Sequence, residues 1–292
     1  MYIFGGSDMD IYGAIAFGVQ IGLLSIEIAR ELKGFFKEND DLSPNVVNQQ
    51  KIIVEALKIL KKPDINANRE NVFSNTVWLH QFISGVQEIS DMSVQKICGR
   101  ILAQEFILPG VTPQRMGQIL SGISFEDMQK FQRICSMNIG IITNYNDDSL
   151  GGPNAGKHIM VPFHDSDEYS EKIGVYLEDI YELQALGLLT YSSNGCYISG
   201  VPCKHPLIYA NGKTFYILWH HKDEIPTGNI TLTKAGSCLS NVIDECEITD
   251  EYDKLVCGCM EHFGVEFAEQ KMYSVFKTDG RFTLTTRRRR QQ

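Results

Sequence analysis

Between Asp10 and Glu27 the chain carries no charge, and its apolar residues recur at helical spacing. Ile11, Ala14, Ile15, Gly18, Gly22, Ile26 and Ala29 share one stripe, with polar residues entering only at Gln20, Ser25 and Glu27. Such a stripe must be covered by protein or by lipid, so it restricts the fold more than any other feature. It predicts one long helix from Ile11 to Lys37, capped by Asp10 and ended by "ENDDLSP", where Asn39, Asp40 and Pro44 oppose continuation. The uncharged part would rise about 24 Å, short of a hydrocarbon core of about 30 Å, which disfavours a simple spanning helix. Gly18 and Gly22, four apart, would admit a second backbone. Gly18, Gly22, Ile15 and Ile26 are therefore the candidates for self-association or, through residues 11–29, for membrane contact.

Further helical periods come next, each with its own punctuation. "NVVNQQKIIVEALKIL" sets Val46, Ile53, Ala56, Leu57 and Leu60 on a stripe before Pro63. "ENVFSNTVWLHQFISGVQEI" runs to Ser90 and Asp91. "DMSVQKICGRILAQEFILPG" is capped by Asp91 or Ser93 and stopped by Pro109 and Gly110. "TPQRMGQILSGI" and "SFEDMQKFQRICSMNIGII" complete the series, which makes residues 1–145 an all-helical domain. A chain of 292 residues has room for two domains.

The texture changes at "NYNDDSLGGPNAGKHIMVPF", where Asn, Asp, Gly and Pro crowd together. Residues 146–164 read as a linker with a short strand near Ile159 to Phe163. Residues 165–292 read as an α+β domain with an acidic segment and an Arg-rich tail. There, "EKIGVYLEDIYELQALGLLTYSSNGCYISG" is a helix stopped sharply at Gly187 and then a strand. "KTFYILWH" is a strand, and "LTKAGSCLSNVI" is a strand end, a glycine turn and a helix. The fold class is thus α+β and mostly α: a helical N-terminal half, then a winged-helix-like C-terminal half.

Winged helices commonly read DNA with the helix before the wing. Here that helix offers Glu168, Glu171, Glu178, Asp179 and Glu182 against Lys172 alone, which would repel phosphate. The net charge of −9 and the pI near 5.3 argue the same way for nucleic acid and for anionic lipid. Eight cysteines without a basic leader, the first charges being Asp8 and Asp10, read as reduced thiols of a cytoplasmic protein, with membrane association left open.

The segment "VQKICGRILAQEFILPGVTPQRMGQILSGISFEDMQKFQRIC" carries an Ile-Leu-Ala-x-Glu block, then Pro-Gly, a short helix and an acidic helix. With "LEDIYELQALGLLTYSS" and "NITLTKAGSCL" it resembles the bacterial domain-of-unknown-function family 2806, from about Trp78 to about Ile243. The resemblance implies a bacterial or prophage-encoded cytosolic protein and transfers no catalytic residue.

Several motifs resemble reaction chemistry. "GGPNAGKH" approaches a phosphate-binding loop, but His158 replaces the magnesium-binding hydroxyl and Pro153 removes a backbone donor. Cys257, Cys259 and His262, joined by Cys203, are candidate ligands for a structural zinc, though they lack the C-x-x-C knuckle; no other cofactor is expected. Cys196 and His205 lie beside Cys203. His220 and His221 suggest acid–base work, and Glu105 an acid at a helix end. The run "DECEITDEYD" lacks the spacing of a calcium loop. Arg287, Arg288, Arg289 and Arg290 form a basic tail for nucleic acid or a partner.

No complete catalytic constellation emerges, so the sequence favours a non-enzyme. The expected function is an interaction or effector protein of bacterial or prophage origin, in phage defence or a similar conflict, associating with itself, with another protein or with membrane. A nucleic-acid-binding winged-helix regulator and a hydrolase or nuclease built from scattered His, Asp and Glu are the alternatives.

Overall fold

The computed structural model describes residues 11–36, 43–61, 72–143, 157–159, 170–171, 174–199, 207–211, 214–220, 224–244, 246, 254, 265–268, 273–278 and 281–286. The chain divides into two compact units, Met1–Phe125 with Lys234–Ile243, and Glu126–Thr233 with Asp244–Gln292. Among the described residues the fold is α+β and mostly helical. None of their helices is long and apolar enough to cross a membrane.

The uncharged stretch is two helices rather than one: α1 (Ile11–Gln20) and α2 (Ile26–Phe35). Gly22 takes φ 77°, where a side chain would be strained, and the N–H groups of Gly22 and Leu23 close on the carbonyls of Val19 and Gly18 (3.0 and 2.9 Å). This is a helix stop, and it turns Leu23 and Leu24 into the core. Phe73 forms a parallel bridge with Leu24, donating to the Leu23 carbonyl (2.8 Å) and accepting from Ser25 (3.0 Å). Ser25 then caps α2 by accepting from the Ile28 N–H at 3.2 Å.

The first unit continues with α3 (Pro44–Leu60), α4 (Thr76–Gly85), α5 (Met92–Ile107) and α6 (Met116–Ser121). Helix α4 starts later than its periodicity suggests, because Phe73 is committed to the bridge and Asn75 supplies the cap, accepting from Trp78 N–H at 3.0 Å. Trp78 stacks on Phe82 with centroids 4.9 Å apart, and Phe73 meets Phe106 at 5.0 Å. Helices approach closely at glycines the helical stripe did not single out. A Cβ on Gly99 would lie 2.5 Å from Glu55 Cβ of α3, and one on Gly117 would lie 2.8 Å from the Phe82 carbonyl oxygen of α4.

In the second unit α7 (Phe125–Ser136) ends where β1 (Asn138–Thr143) begins, so the helical series stops short of residue 145. The β-branched Ile139, Ile141, Ile142 and Thr143 suit a strand, and β1 pairs antiparallel with two neighbours. It joins β2 (Lys157–Ile159), β4 (Leu207–Asn211), β5 (Thr214–His220) and β7 (Val265–Ala268) in a sheet of order β2-β1-β4-β5-β7. Helix α8 (Leu177–Ala185) leads into β3 (Leu189–Ser199), which pairs antiparallel with β6 (Glu224–Leu232). The pair β8 (Tyr273–Thr278) and β9 (Arg281–Thr286) closes the order. After β6 comes α9 (Lys234–Ser240), which belongs to the first unit; Gly236 lies inside this helix and makes no turn.

Candidate functional site

Among the described residues of the second unit, α7, α8 and the β3–β6 pair bring charged and aromatic side chains together. Tyr176 precedes α8 and its backbone N–H donates to Asp179 Oδ2 at 2.9 Å, which fixes the first turn. Asp179, Ile180 and Leu183 are buried, so Glu178, Tyr181 and Glu182 form the solvent face at i, i+3 and i+4. The helix stops at Gly187, φ 78°, where the N–H groups of Gly187 and Leu188 close on the carbonyls of Gln184 and Leu183 (2.9 and 3.0 Å). Two contacts then tie this face to the strands. The Tyr191 N–H donates to Gln184 Oε1 at 2.7 Å, and the Tyr181 and Tyr191 rings meet edge to face at 5.9 Å and 87°.

Lys130 of α7 supplies the counter-charge. Its Nζ lies 2.8 Å from Asp179 Oδ1, 3.3 Å from Glu126 and 3.4 Å from Glu182. The hydrogen bond to Asp179 does most to hold its ammonium above the ordinary lysine range, helped by Glu126 and Glu182 and opposed by partial desolvation. The Glu126 and Glu182 ends of the network are exposed, and such pairs contribute about 1 kcal/mol or less, so those two contacts orient side chains more than they stabilise the fold. Three carboxylates around one ammonium leave the face acidic, and Glu178 adds to it.

Not every acid of this helix faces outward as the sequence implied. Asp179 turns in to bind Lys130 and the Tyr176 N–H, while Glu171 is exposed but lies ahead of α8, which starts only at Leu177. Glu168 and Lys172 lie outside the described residues. The tyrosines and Lys130 were not singled out from sequence. The stripe Glu178, Tyr181 and Glu182 opposite Ile180 and Leu183 was the signal that could have found the face.

Glu105 has a closed structural role. It is 2% exposed, and its two oxygens accept from Gly110 N–H (2.7 Å) and Thr112 N–H (2.9 Å), stapling the turn after α5. Lys234 Nζ donates to the Gly110 carbonyl at 3.3 Å, and Cys238 Sγ lies 3.7 Å from the Thr112 hydroxyl. Burial pushes the Cys238 thiol up, with the Glu105 charge adding to it, and burial pushes the Cys98 thiol up as well. These thiols behave as small apolar side chains.

Of the N-terminal candidates, Ile15 is buried and Gly18 lies under Leu24, whose Cδ1 would be 2.7 Å from an added Cβ. Gly22 is the helix stop, so the two glycines do not share a helix face. Ile26, by contrast, is 71% exposed at the start of α2. Cys203, His205, Cys257, Cys259, His262, His221 and Arg287 to Arg290 lie outside the described residues, as does most of "GGPNAGKH", of which Lys157 and His158 open β2. His220 ends β5 opposite Val265. Cys196 sits in β3, its thiol pushed up by burial. Among the described residues no group of three or more His, Cys, Asp or Glu is placed to hold a metal.

Residues 41–257 match the model of a family described as "Protein of unknown function (DUF2806)". No curated protein and no solved structure matches the chain.

Proposed function

The chain belongs to the DUF2806 family, and we propose that it is a non-enzymatic interaction protein, an effector of the bacterial or prophage kind with a part in phage conflict. Helix α8 leads into β3, which pairs antiparallel with β6 although β4 and β5 intervene in the chain, and a helix followed by a two-stranded antiparallel wing supports a winged-helix module. The observation that carries the reading is the outer face of α8, where Glu178 and Glu182 flank Tyr181, a ring 49% exposed and set against Tyr191. Carboxylates repel phosphate, whereas rigid tyrosines offer contact area at little entropic cost. The module is therefore addressed to a basic protein segment rather than to DNA.

Self-association belongs to the same reading. Tyr12, Ile26, Val72 and Val77 are exposed apolar side chains of the first unit, and they support assembly through the α1–α2 corner and the start of α4.

The test titrates a labelled arginine-rich peptide and a labelled DNA duplex against the wild-type chain and a Glu178→Lys/Glu182→Lys variant. Peptide binding should weaken about tenfold in the variant, and the duplex should not bind the wild type even at low salt. Duplex binding that falls steeply with salt, or peptide binding indifferent to the substitutions, refutes the α8 reading. Light scattering of Ile26→Asp beside the wild type tests assembly separately, with a smaller particle expected.

A further inference from the structure

Asp244 and Cys246 are each held on α7. Gln132 Nε2 donates to the Asp244 carbonyl at 2.8 Å, and the Cys246 backbone N–H donates to the Ser136 hydroxyl oxygen at 2.5 Å. The same hydroxyl donates to the Gln132 carbonyl at 2.9 Å, so its orientation is fixed. The two anchors, Gln132 and Ser136, are four residues apart and so lie on one side of the helix, and Cys135, three residues from Gln132 and next to Ser136, flanks that side. Two cysteines separated by 111 positions (246 − 135) are thus drawn into one neighbourhood. Both are thiols and both are half-buried. Cys98 and Cys238 are buried instead.

Reach favours a bond between them. The Cys246 Cα is one covalent bond from a nitrogen held against Ser136, and Ser136 is the residue directly after Cys135. A disulfide needs Cα atoms about 4.4–6.8 Å apart, and here a single hydrogen bond from Cys246 to the residue after Cys135 joins the two segments.

We propose that Cys135 and Cys246 form a redox-active dithiol whose co-reactant is a low-molecular-weight disulfide such as glutathione disulfide. One cysteine thiolate attacks a sulfur of the small disulfide, whose S–S bond breaks and releases one small thiolate. The second cysteine thiolate attacks the mixed disulfide, forming the Cys135–Cys246 bond and releasing the second small thiolate. The two protons lost from the protein thiols pass to the two leaving groups, so the protein is oxidised by two electrons and the small disulfide is reduced to two thiols. Oxidation adds a covalent bond to the two hydrogen bonds that hold Asp244 and Cys246 on α7, at the head of the acidic run "DECEITDEYD". The site does not depend on the interaction reading.

The test incubates the reduced full chain with glutathione disulfide under native conditions, then measures intact mass and maps peptides. The mass should fall by two hydrogen atoms, with one cross-linked peptide joining Cys135 to Cys246. Cys135→Ser and Cys246→Ser should each lose the cross-link and hold glutathione on the surviving cysteine, because the mixed disulfide can no longer be resolved. A wild-type chain that keeps glutathione without a cross-link, that joins other cysteines, or that does not react overturns the proposal, and none of these readings depends on whether a variant folds.

Discussion

"IGLLS" at Ile21 to Ser25 and "LGLLT" at Leu186 to Thr190 are nearly the same five residues, and both end a helix in the same way. In each, the glycine takes φ near 78° (77° and 78°), and the N–H of the next leucine reaches back five residues to a carbonyl (2.9 and 3.0 Å). Both leucine pairs, Leu23–Leu24 and Leu188–Leu189, are buried. Beyond the leucines the two corners part. Ser25 caps a new helix, whereas Thr190 enters a strand and its hydroxyl lies 2.6 Å from that of Thr231. The stop is written locally, and the continuation is decided by what the leucines find: Phe73 in one unit, β6 in the other.

The comparison is broken most severely at the leucines. Leu23→Ala and Leu188→Ala should each cost about 2–5 kcal/mol, the range for truncating a fully buried leucine. Denaturant melts should show similar losses at the two corners, since both side chains are fully covered. If either loss is below about 1 kcal/mol, that leucine does not anchor its corner.

Only one of these two corners is legible without the structure, and the reason is physical. At Gly187 a charged amphipathic helix gives way to β-branched and aromatic residues, so the change of period marks the stop. At Gly22 apolar residues continue on both sides, and Gly18 four places earlier imitates a close-packing stripe. The real close approaches, at Gly99 and at Gly85 with Gly117, stand alone in their helices and depend on partners far along the chain. The acids of α8 could be read directly from the sequence. The inward turn of Asp179 could not, because it requires Lys130 from α7.

Next in size come the glycines. Gly22→Ala and Gly187→Ala should each cost about 1–2 kcal/mol, because an L side chain pays a steric penalty in the left-handed region whatever the space around it. Gly22 has nothing within 4 Å of an added Cβ, so its loss measures backbone strain alone. Gly34, exposed in α2 and also open around its Cβ, is the control: Gly34→Ala should be neutral or slightly stabilising, by up to about 1 kcal/mol. A Gly22→Ala chain that melts with Gly34→Ala would mean that the α1–α2 corner relaxes to another turn and that the likeness to Gly187 is only nominal.

The smallest effects separate the two continuations. Ser25→Ala removes the acceptor for the Ile28 N–H and leaves a helix end uncapped, which costs about 1 kcal/mol. Thr190→Ala removes one exposed hydroxyl from a cross-strand pair with Thr231, a contact worth about 0.2–1 kcal/mol that water can partly replace. Ser25→Thr should restore most of the first loss, since either hydroxyl can cap. Thr190→Ser should leave the second partly unrestored, because a strand also uses the β-branch that serine lacks. Equal responses to both conservative substitutions would show that the fifth residue is not what sends one corner into a helix and the other into a sheet, leaving that choice to Phe73 and β6.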